Sequence, residues 1–234
     1  MSETYRKLPP LVDEALVQRA MHFGTAELCD GMTSLGMDPD GCMVAEIMPI
    51  DEASKMVGTA STVQTEGGDN FPIHVAIYQS KPGYVLVIDG KSCMDRAYLG
   101  DLMGGAAKAI GIQGLVVDGC VRDKIGLKEL GLPVFSRGIM QRSPLKKGPG
   151  SINTPIVCGG VTVNPGDLVV GDHDGVVVIP RDAIEAVLDA ARKKAAYEQK
   201  RRLAIAEYAR CREAGEPLPN LAPGWVTEML GRKE

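Results

Sequence analysis

Aromatic residues are scarce in this chain: three Phe, six Tyr and one Trp make up 4% of its 234 residues. A core must therefore be built from Val, Ile, Leu, Ala and Met, which suits a buried sheet packed on helices. Charge of one sign is not in excess. With 26 Lys and Arg against 30 Asp and Glu the net charge is −4, and nothing calls for a nucleic-acid surface. No apolar run approaches the roughly 20 residues needed to span a bilayer, and the opening MSETYRKLPP lacks the h-region of a secretory signal. The six cysteines (Cys29, Cys42, Cys93, Cys120, Cys158 and Cys211) contain no Cys-x-x-Cys. They are expected as reduced, buried residues of a cytoplasmic protein. Only His22, His74 and His173 could join them and none has ligand spacing, so no zinc site is expected. The absence of a Gly-x-Gly-x-x-Gly after a strand, and of a Walker sequence, argues against dinucleotide or ATP binding.

What is present is a succession of short elements. Residues 11–23 carry apolar groups at helical spacing and stop at Gly24. Thr25 is placed to cap a second helix, 26–35. The Pro/Gly-rich stretch 37–49 reads as irregular, with Asp38, Asp40 and Glu46 as solvated loop acids. Residues 57–65 are β-branched and alternating, hence a strand. A turn at 66–70 precedes a helix at 72–79 with Pro72 near its start. His74 belongs to that helix, packed near whatever site the loops form, and Asp69 and Asn70 are pocket candidates in the turn. YVLVID (84–89) is a buried strand, followed by a loop at 90–99 expected to shape substrate choice. Farther on come a short helix at 124–130, a strand at 133–135, and a loop to Gly150 whose Arg142, Lys146 and Lys147 could attract an acidic substrate but read better as solvated. Short β runs follow at 156–158, 161–163, 168–170 and 176–179. Hairpin-type turns are expected at 164–167 and 172–175. Asp172-His173-Asp174 fits a turn better than a metal motif. A helix capped by Asp182 should run from 183 to about 214, nearly 50 Å. That exceeds the width of such a domain, which implies a core of residues 1–181 and an arm of 182–234 lying on a neighbouring subunit.

The stretch GDLMGGAAKAIGIQGLVVDGCVRD, residues 100–123, carries the chemistry. Gly100-Asp101 opens a helix over 102–110 that stops at Gly111. The strand 115–118 then returns the chain. Asp101 and the pair Arg122-Asp123 can thus meet at one mouth of the sheet. Aspartate oxygens are hard ligands for Mg²⁺, which needs only one or two protein carboxylates. Arg122 matches a carboxylate or a developing oxyanion, and the free N–H groups at the helix start form a second anion site. The residues alone leave a second reading open, in which Arg122-Asp123 merely starts the next helix and pairs on the surface.

The pattern Gly-Asp-Leu-Met, with Asp101 separated by 20 residues from Arg122-Asp123 inside VVDGCVRD, resembles the RraA-like family. The family includes class II 4-hydroxy-4-methyl-2-oxoglutarate / 4-carboxy-4-hydroxy-2-oxoadipate aldolases and regulators of ribonuclease E activity. The likeness extends to GDNFPIHVAI (68–77), PGYVLVIDG (82–90), GLPVFSRG (131–138) and the stretch 148–180. It implies an α/β fold, a layered β/β/α swivelling-domain sandwich with a long C-terminal helical arm. It also implies homotrimers or hexamers with the site between subunits. The expected reaction is a retro-aldol cleavage of a 4-hydroxy-2-oxo acid to pyruvate, with oxaloacetate decarboxylation beside it. Asp123 would bind Mg²⁺ (or Mn²⁺) directly and Asp101 through a water. Glu198 of a neighbouring subunit would also reach the water shell. Arg122 would face the keto oxygen, the N–H groups of Leu102 and Met103 would hold the pyruvyl carboxylate, and Gly100, Gly104 and Asn70 would complete the substrate site. Gly104-Gly105, where relatives carry larger residues, would leave room for a bulkier substrate. The alternative that the resemblance offers is a non-catalytic protein that binds and inhibits ribonuclease E. A methyltransferase would need a cofactor loop that the chain lacks.

Overall fold

The computed structural model describes residues 4–37 and 41–231, and Asp38 and Asp40 lie outside them. The chain divides into two compact units, Met1–Ala191 and Arg192–Glu234.

The first unit begins with β1 (Thr4–Tyr5), α1 (Glu14–Ala20), α2 (Thr25–Ser34) and β2 (Met48–Pro49). Its centre is β3 (Met56–Thr65), α3 (Phe71–Gln79), β4 (Tyr84–Ala97), α4 (Asp101–Ile110), β5 (Gly114–Val121), α5 (Lys124–Leu130) and β6 (Val134–Ile139). Then follow β7 (Gly150–Ile152), β8 (Ile156–Cys158), β9 (Val161–Val163), β10 (Leu168–Asp172) and β11 (Gly175–Ile179). A 3₁₀ turn at Arg181–Ala183 leads into α6 (Ile184–Ala214), so Asp182 lies within that turn rather than capping the long helix.

Strands β3 to β6 lie side by side in chain order and are all parallel, each joined to the next by one helix. That is the arrangement short βαβ crossovers produce. Alternation of side chains along each strand then gives the sheet two apolar faces. On one face Leu86, Ile88, Leu115 and Val117 meet Ile73, Ile77, Ala107 and Leu127 of the three helices. On the other Val85, Val87 and Val116 meet Ile156, Val163, Val169 and Val178 of the later strands. A third cluster joins α1, α2, β10, β11 and the first turns of α6. The layered β/β/α sandwich expected from the sequence is therefore the fold.

The structure corrects several local expectations. The segment after Asp89 is not a free loop: β4 continues to Ala97, irregularly, with Cys93 opposite Gly119 and Ala97 opposite Cys120. The turn at 164–167 is not a hairpin, because β9 pairs with β8 while β10 pairs with β11 and β3. The turn at 172–175 is one. Thr25 is the first residue of α2, not its cap, and its N–H and hydroxyl both donate to Asp172 (2.8 and 2.7 Å). Asp172 thus holds a helix N-terminus, where a carboxylate is favoured. Cys29 and Cys42 are disulfide-bonded, with Cα atoms 6.5 Å apart, whereas the other four cysteines are free.

In the second unit α6 runs to Ala214, and Gly215 leaves it with φ 68°. Beyond it lies α7 (Gly224–Gly231). Arg210 pairs with both Glu207 and Glu216, and the Arg201 guanidinium donates to the Leu221 carbonyl. Leu203, Ile205, Trp225 and Met229 are exposed. No helix among the described residues is long and apolar enough to cross a membrane.

Candidate active site

The segments that leave β4 and β5 are tied together by their backbones. Tyr98 N–H donates to the Cys120 carbonyl (2.8 Å) and Arg122 N–H to the Leu99 carbonyl (2.9 Å). These two bonds bring the start of α4 against the start of α5, and with it Asp101 against Arg122-Asp123, despite the 20 residues between them. Gly100 sits at the crossing. A Cβ built on it would lie 2.1 Å from Asp123 Oδ2 and 3.1 Å from Arg122 Cγ, so only glycine admits the Asp123 carboxylate. Gly126 does the same for Asp101, whose Oδ2 is 2.9 Å from the place of its absent Cβ. Asp123 adopts the left-handed region (φ 56°, ψ 46°) as it starts α5, a conformation Asp tolerates at some cost and one that recurs where function fixes the backbone.

Gly100, Asp101, Arg122 and Asp123 line a cavity of about 300 Å³, together with Asn70, His74, Ser143 and Lys146. Arg122 is held on two sides, by Asp123 Oδ2 (3.3 Å from Nε) and Ser143 Oγ (3.1 Å from Nη1). Asn70 donates to the Tyr98 carbonyl (2.9 Å), while its own Oδ1 is buried with no partner among the described residues. In this state Leu102 N–H donates to Asp101 Oδ1 (2.7 Å), and a substrate carboxylate at that N–H would have to displace it. His74 titrates below its ordinary value because burial and the Lys146 charge both disfavour the imidazolium. It therefore enters the cavity as a neutral ring at pH 7.

Of the residues expected from the sequence, Gly100, Asp101, Leu102, Met103, Arg122, Asp123 and Asn70 all line this cavity. Gly104 does not. It faces α5, where a Cβ would press on Leu127 Cδ2 (2.8 Å) and Leu130 Cδ1 (3.1 Å). Its lack of a side chain lets two helices pack and makes no room for substrate. Asp69 is a structural pin: its oxygens accept from the N–H groups of Phe71, Lys147 and Gly148. With the backbone bonds Asn70 N–H to Leu145 and Leu145 N–H to Gly68, it fastens the segment 143–148 as a cavity wall. Lys146, expected as solvated, forms that wall together with Ser143 and Pro144. Of the segment 90–99 only Leu99 reaches the cavity, and Arg96 acts from outside by holding the Ser143 carbonyl (2.7 Å). Glu198 lies in the second unit, paired with Arg202 on its own helix at 3.1 Å.

Does this donor set suit a divalent cation? No three His, Cys, Asp or Glu side chains converge among the described residues. The cavity instead offers two carboxylates and the unpartnered Asn70 Oδ1, all hard oxygens. Mg²⁺ keeps most of its waters and takes one or two carboxylates, so the residues fit it, and Mn²⁺ as well.

Comparison with known proteins places this geometry in context. The profile of the RraA-like family (Aldolase/RraA) matches residues 25–178. A protein of Halalkalibacterium halodurans named "Putative 4-hydroxy-4-methyl-2-oxoglutarate aldolase" is 44% identical over 182 residues, covering 78% of this chain and 83% of that one. A crystal structure from Pseudomonas syringae pv. tomato superposes with a TM-score of 0.74 at 31% identity, covering 85% of this chain and 96% of the other. RraAS2 of Streptomyces coelicolor, named as an unusual member of the RNase ES inhibitor RraA family, gives a TM-score of 0.73 at 27% identity, covering 82% and 98%.

Proposed function

The chain belongs to the RraA-like family, and on that premise we propose that it is a divalent-metal-dependent lyase that cleaves a 4-hydroxy-2-oxo acid to pyruvate. The observation that carries the reading is the convergence of Asp101, Arg122 and Asp123 on one cavity at the start of α4. The family spans proteins named as aldolases and proteins named as RNase inhibitors. A cavity with two carboxylates, a clamped guanidinium and an orphaned amide oxygen is more than a binding protein's fold requires.

The chemical problem is the electron pair left on carbon when the C3–C4 bond breaks. Arg122 presents its fork to the C2 keto oxygen, where negative charge develops, and its two tethers to Asp123 and Ser143 keep it from having to reorganise. The start of α4 receives the C1 carboxylate through the N–H groups of Leu102 and Met103. Asp123 would hold Mg²⁺ or Mn²⁺ directly, and Asp101 through a water; Asn70 Oδ1 is placed to accept from a bound water. When bound, the ion supplies Lewis-acid stabilisation of the enolate, worth several kcal/mol. The neutral His74 leaves the cavity's positive charge to Arg122 and Lys146. Loss of CO₂ from oxaloacetate leaves the same enolate, so decarboxylation accompanies cleavage.

The first turns of α6 belong to the core of the chain's own first unit, so the arm begins near residue 192 and not at 182. We further propose a homotrimer or hexamer in which that arm packs on a neighbouring copy and brings Glu198 to its site. Leu102 and Ile125 support an interface there, since they flank the cavity 85% and 76% exposed. The setting proposed is the cytoplasm, for which the four free cysteines are the usual state and the Cys29–Cys42 disulfide is the exception.

The reading is tested by pyruvate release from 4-hydroxy-4-methyl-2-oxoglutarate and from oxaloacetate, with Mg²⁺ or Mn²⁺ and again after EDTA. Turnover that EDTA abolishes supports it. Purified protein without metal-dependent turnover on either substrate would return the chain to the second reading, a protein that binds and inhibits ribonuclease E, which the resemblance to RraAS2 favours.

A further inference from the structure

Four non-glycine residues among those described have positive φ: Lys91 (57°), Ser92 (53°), Asp123 (56°) and Asn153 (55°). Asp123 belongs to the candidate active site. Lys91 and Asn153 stand in the walls of a different place, where two cavities of about 530 and 410 Å³ share Arg6. Neither contains any residue of the candidate site. Backbone strain is retained where surrounding structure enforces it, and here it orients polar groups around a space. Asn153 accepts from Ser61 Oγ (2.9 Å) and donates to the Arg6 carbonyl (3.1 Å). Arg6 N–H donates to the Ile152 carbonyl (3.1 Å). The backbone of Arg6 is thereby fixed at the junction of the cavities, yet its guanidinium has no partner among the described residues. Across the larger cavity Lys91 is held in place by Asp89, which accepts from its N–H (3.0 Å) and its ammonium (2.5 Å). Ser151 and Thr154 add a hydroxyl pair (2.7 Å apart), and Lys7 and Lys81 line the smaller cavity. Glu66 is the single acid among the described wall residues of the two.

We propose that this is a second binding site, for a small hydroxylated oxyanion: a phosphate or carboxylate on a short polyol body. Arg6 and Lys91 take the anionic head. One unpaired guanidinium and one cation already anchored match a single oxyanion. Ser151, Thr154 and Glu66 take hydroxyls; a lone carboxylate among cations is a poor feature for a bare anion but a good acceptor for a ligand O–H.

The test uses the full chain and calorimetric titration with glycerol 3-phosphate and with glycerate, which carry the two head groups on similar bodies. The expected result is saturable, salt-weakened binding of at least one of them, the tighter one identifying the head group. Arg6→Gln removes an exposed side chain that holds nothing in the fold, and it should weaken that binding about tenfold or more, the loss of one charge-assisted contact. Arg122→Gln, at the other site, should leave it within about twofold. The proposal is overturned if neither probe binds saturably in the millimolar range, or if binding survives Arg6→Gln and is lost in Arg122→Gln. It stands or falls separately from the lyase reading.

Discussion

Replacing Gly100 by Ala isolates the geometry of the site from the stability of the fold. Gly100 has an extended backbone (φ −143°, ψ −162°) that alanine adopts without strain, and the substitution should slightly favour folding by restricting the unfolded chain. The added methyl, however, would sit 2.1 Å from Asp123 Oδ2, where ordinary contact begins at 3.4 Å. The carboxylate must therefore retreat by 3.4 − 2.1 = 1.3 Å. Its side chain is 41% exposed and can turn outward, so the clash is relieved at the expense of position, not of folding. A misplacement of about 1 Å in a reacting constellation costs on the order of 10²-fold in rate. The expected outcome is a Tm within a few degrees of wild type and a metal-dependent pyruvate release lower by about 10²-fold, read by coupled pyruvate assay beside thermal unfolding. Activity within twofold of wild type would refute the placing of Asp123 at the chemistry. A collapse of Tm would refute the view that Gly100 serves the site and not the fold.

Other substitutions separate further roles. Gly104→Ala should do the reverse of Gly100→Ala: it gains up to about 1 kcal/mol in helix propensity but overpacks Leu127 and Leu130 at about 1–3 kcal/mol, so urea unfolding should show a net loss of order 1 kcal/mol with kcat little changed. Arg122→Lys cannot reproduce the planar fork held by Asp123 and Ser143, and kcat should fall about 10²–10³-fold in the same assay, with Tm maintained. Burial alone would raise the Asp172 carboxyl, but the two Thr25 bonds, the Asp174 N–H and Lys55 outweigh it and hold it below the ordinary value. A carboxyl depressed on folding stabilises above its unfolded pKa, and that stabilisation is lost as pH falls through the folded one. Thr25→Val should thus cost about 1 kcal/mol or more at pH 7, a few degrees in Tm, and the gap from wild type should narrow below roughly pH 4.

The sequence was most legible where local chemistry decides structure. The run Leu115-Val116-Val117 has no polar residue to leave facing water, so it had to be a strand covered on both faces, and the glycine after Ile110 ended α4 in the left-handed region (φ 92°). From these two facts the meeting of Asp101 with Arg122-Asp123 could be read. What escaped were features set by distant partners. Ser143 and Lys146 carry no local signal of a cavity wall, because Asp69 fastens their segment across 78 residues. Polar Lys91-Ser92 reads as loop, and the two residues fall within the register shift between Ile88 and Cys93 where β4 pairs irregularly with β5. Gly104 beside Gly105 looks like slack in a helix, and only the approach of α5 gives it a purpose. The Cys29–Cys42 bond spans 13 residues and depends on where α2 and the segment bridged to β11 at Val177 bring two unremarkable cysteines.

The most direct test lies in one side chain. Pyruvate release by the full chain with Mg²⁺ should fall to the EDTA background in Asp123→Ala, while far-ultraviolet dichroism and Tm stay near wild type. An Asp123→Ala protein that releases pyruvate at the wild-type rate would contradict the account at its centre.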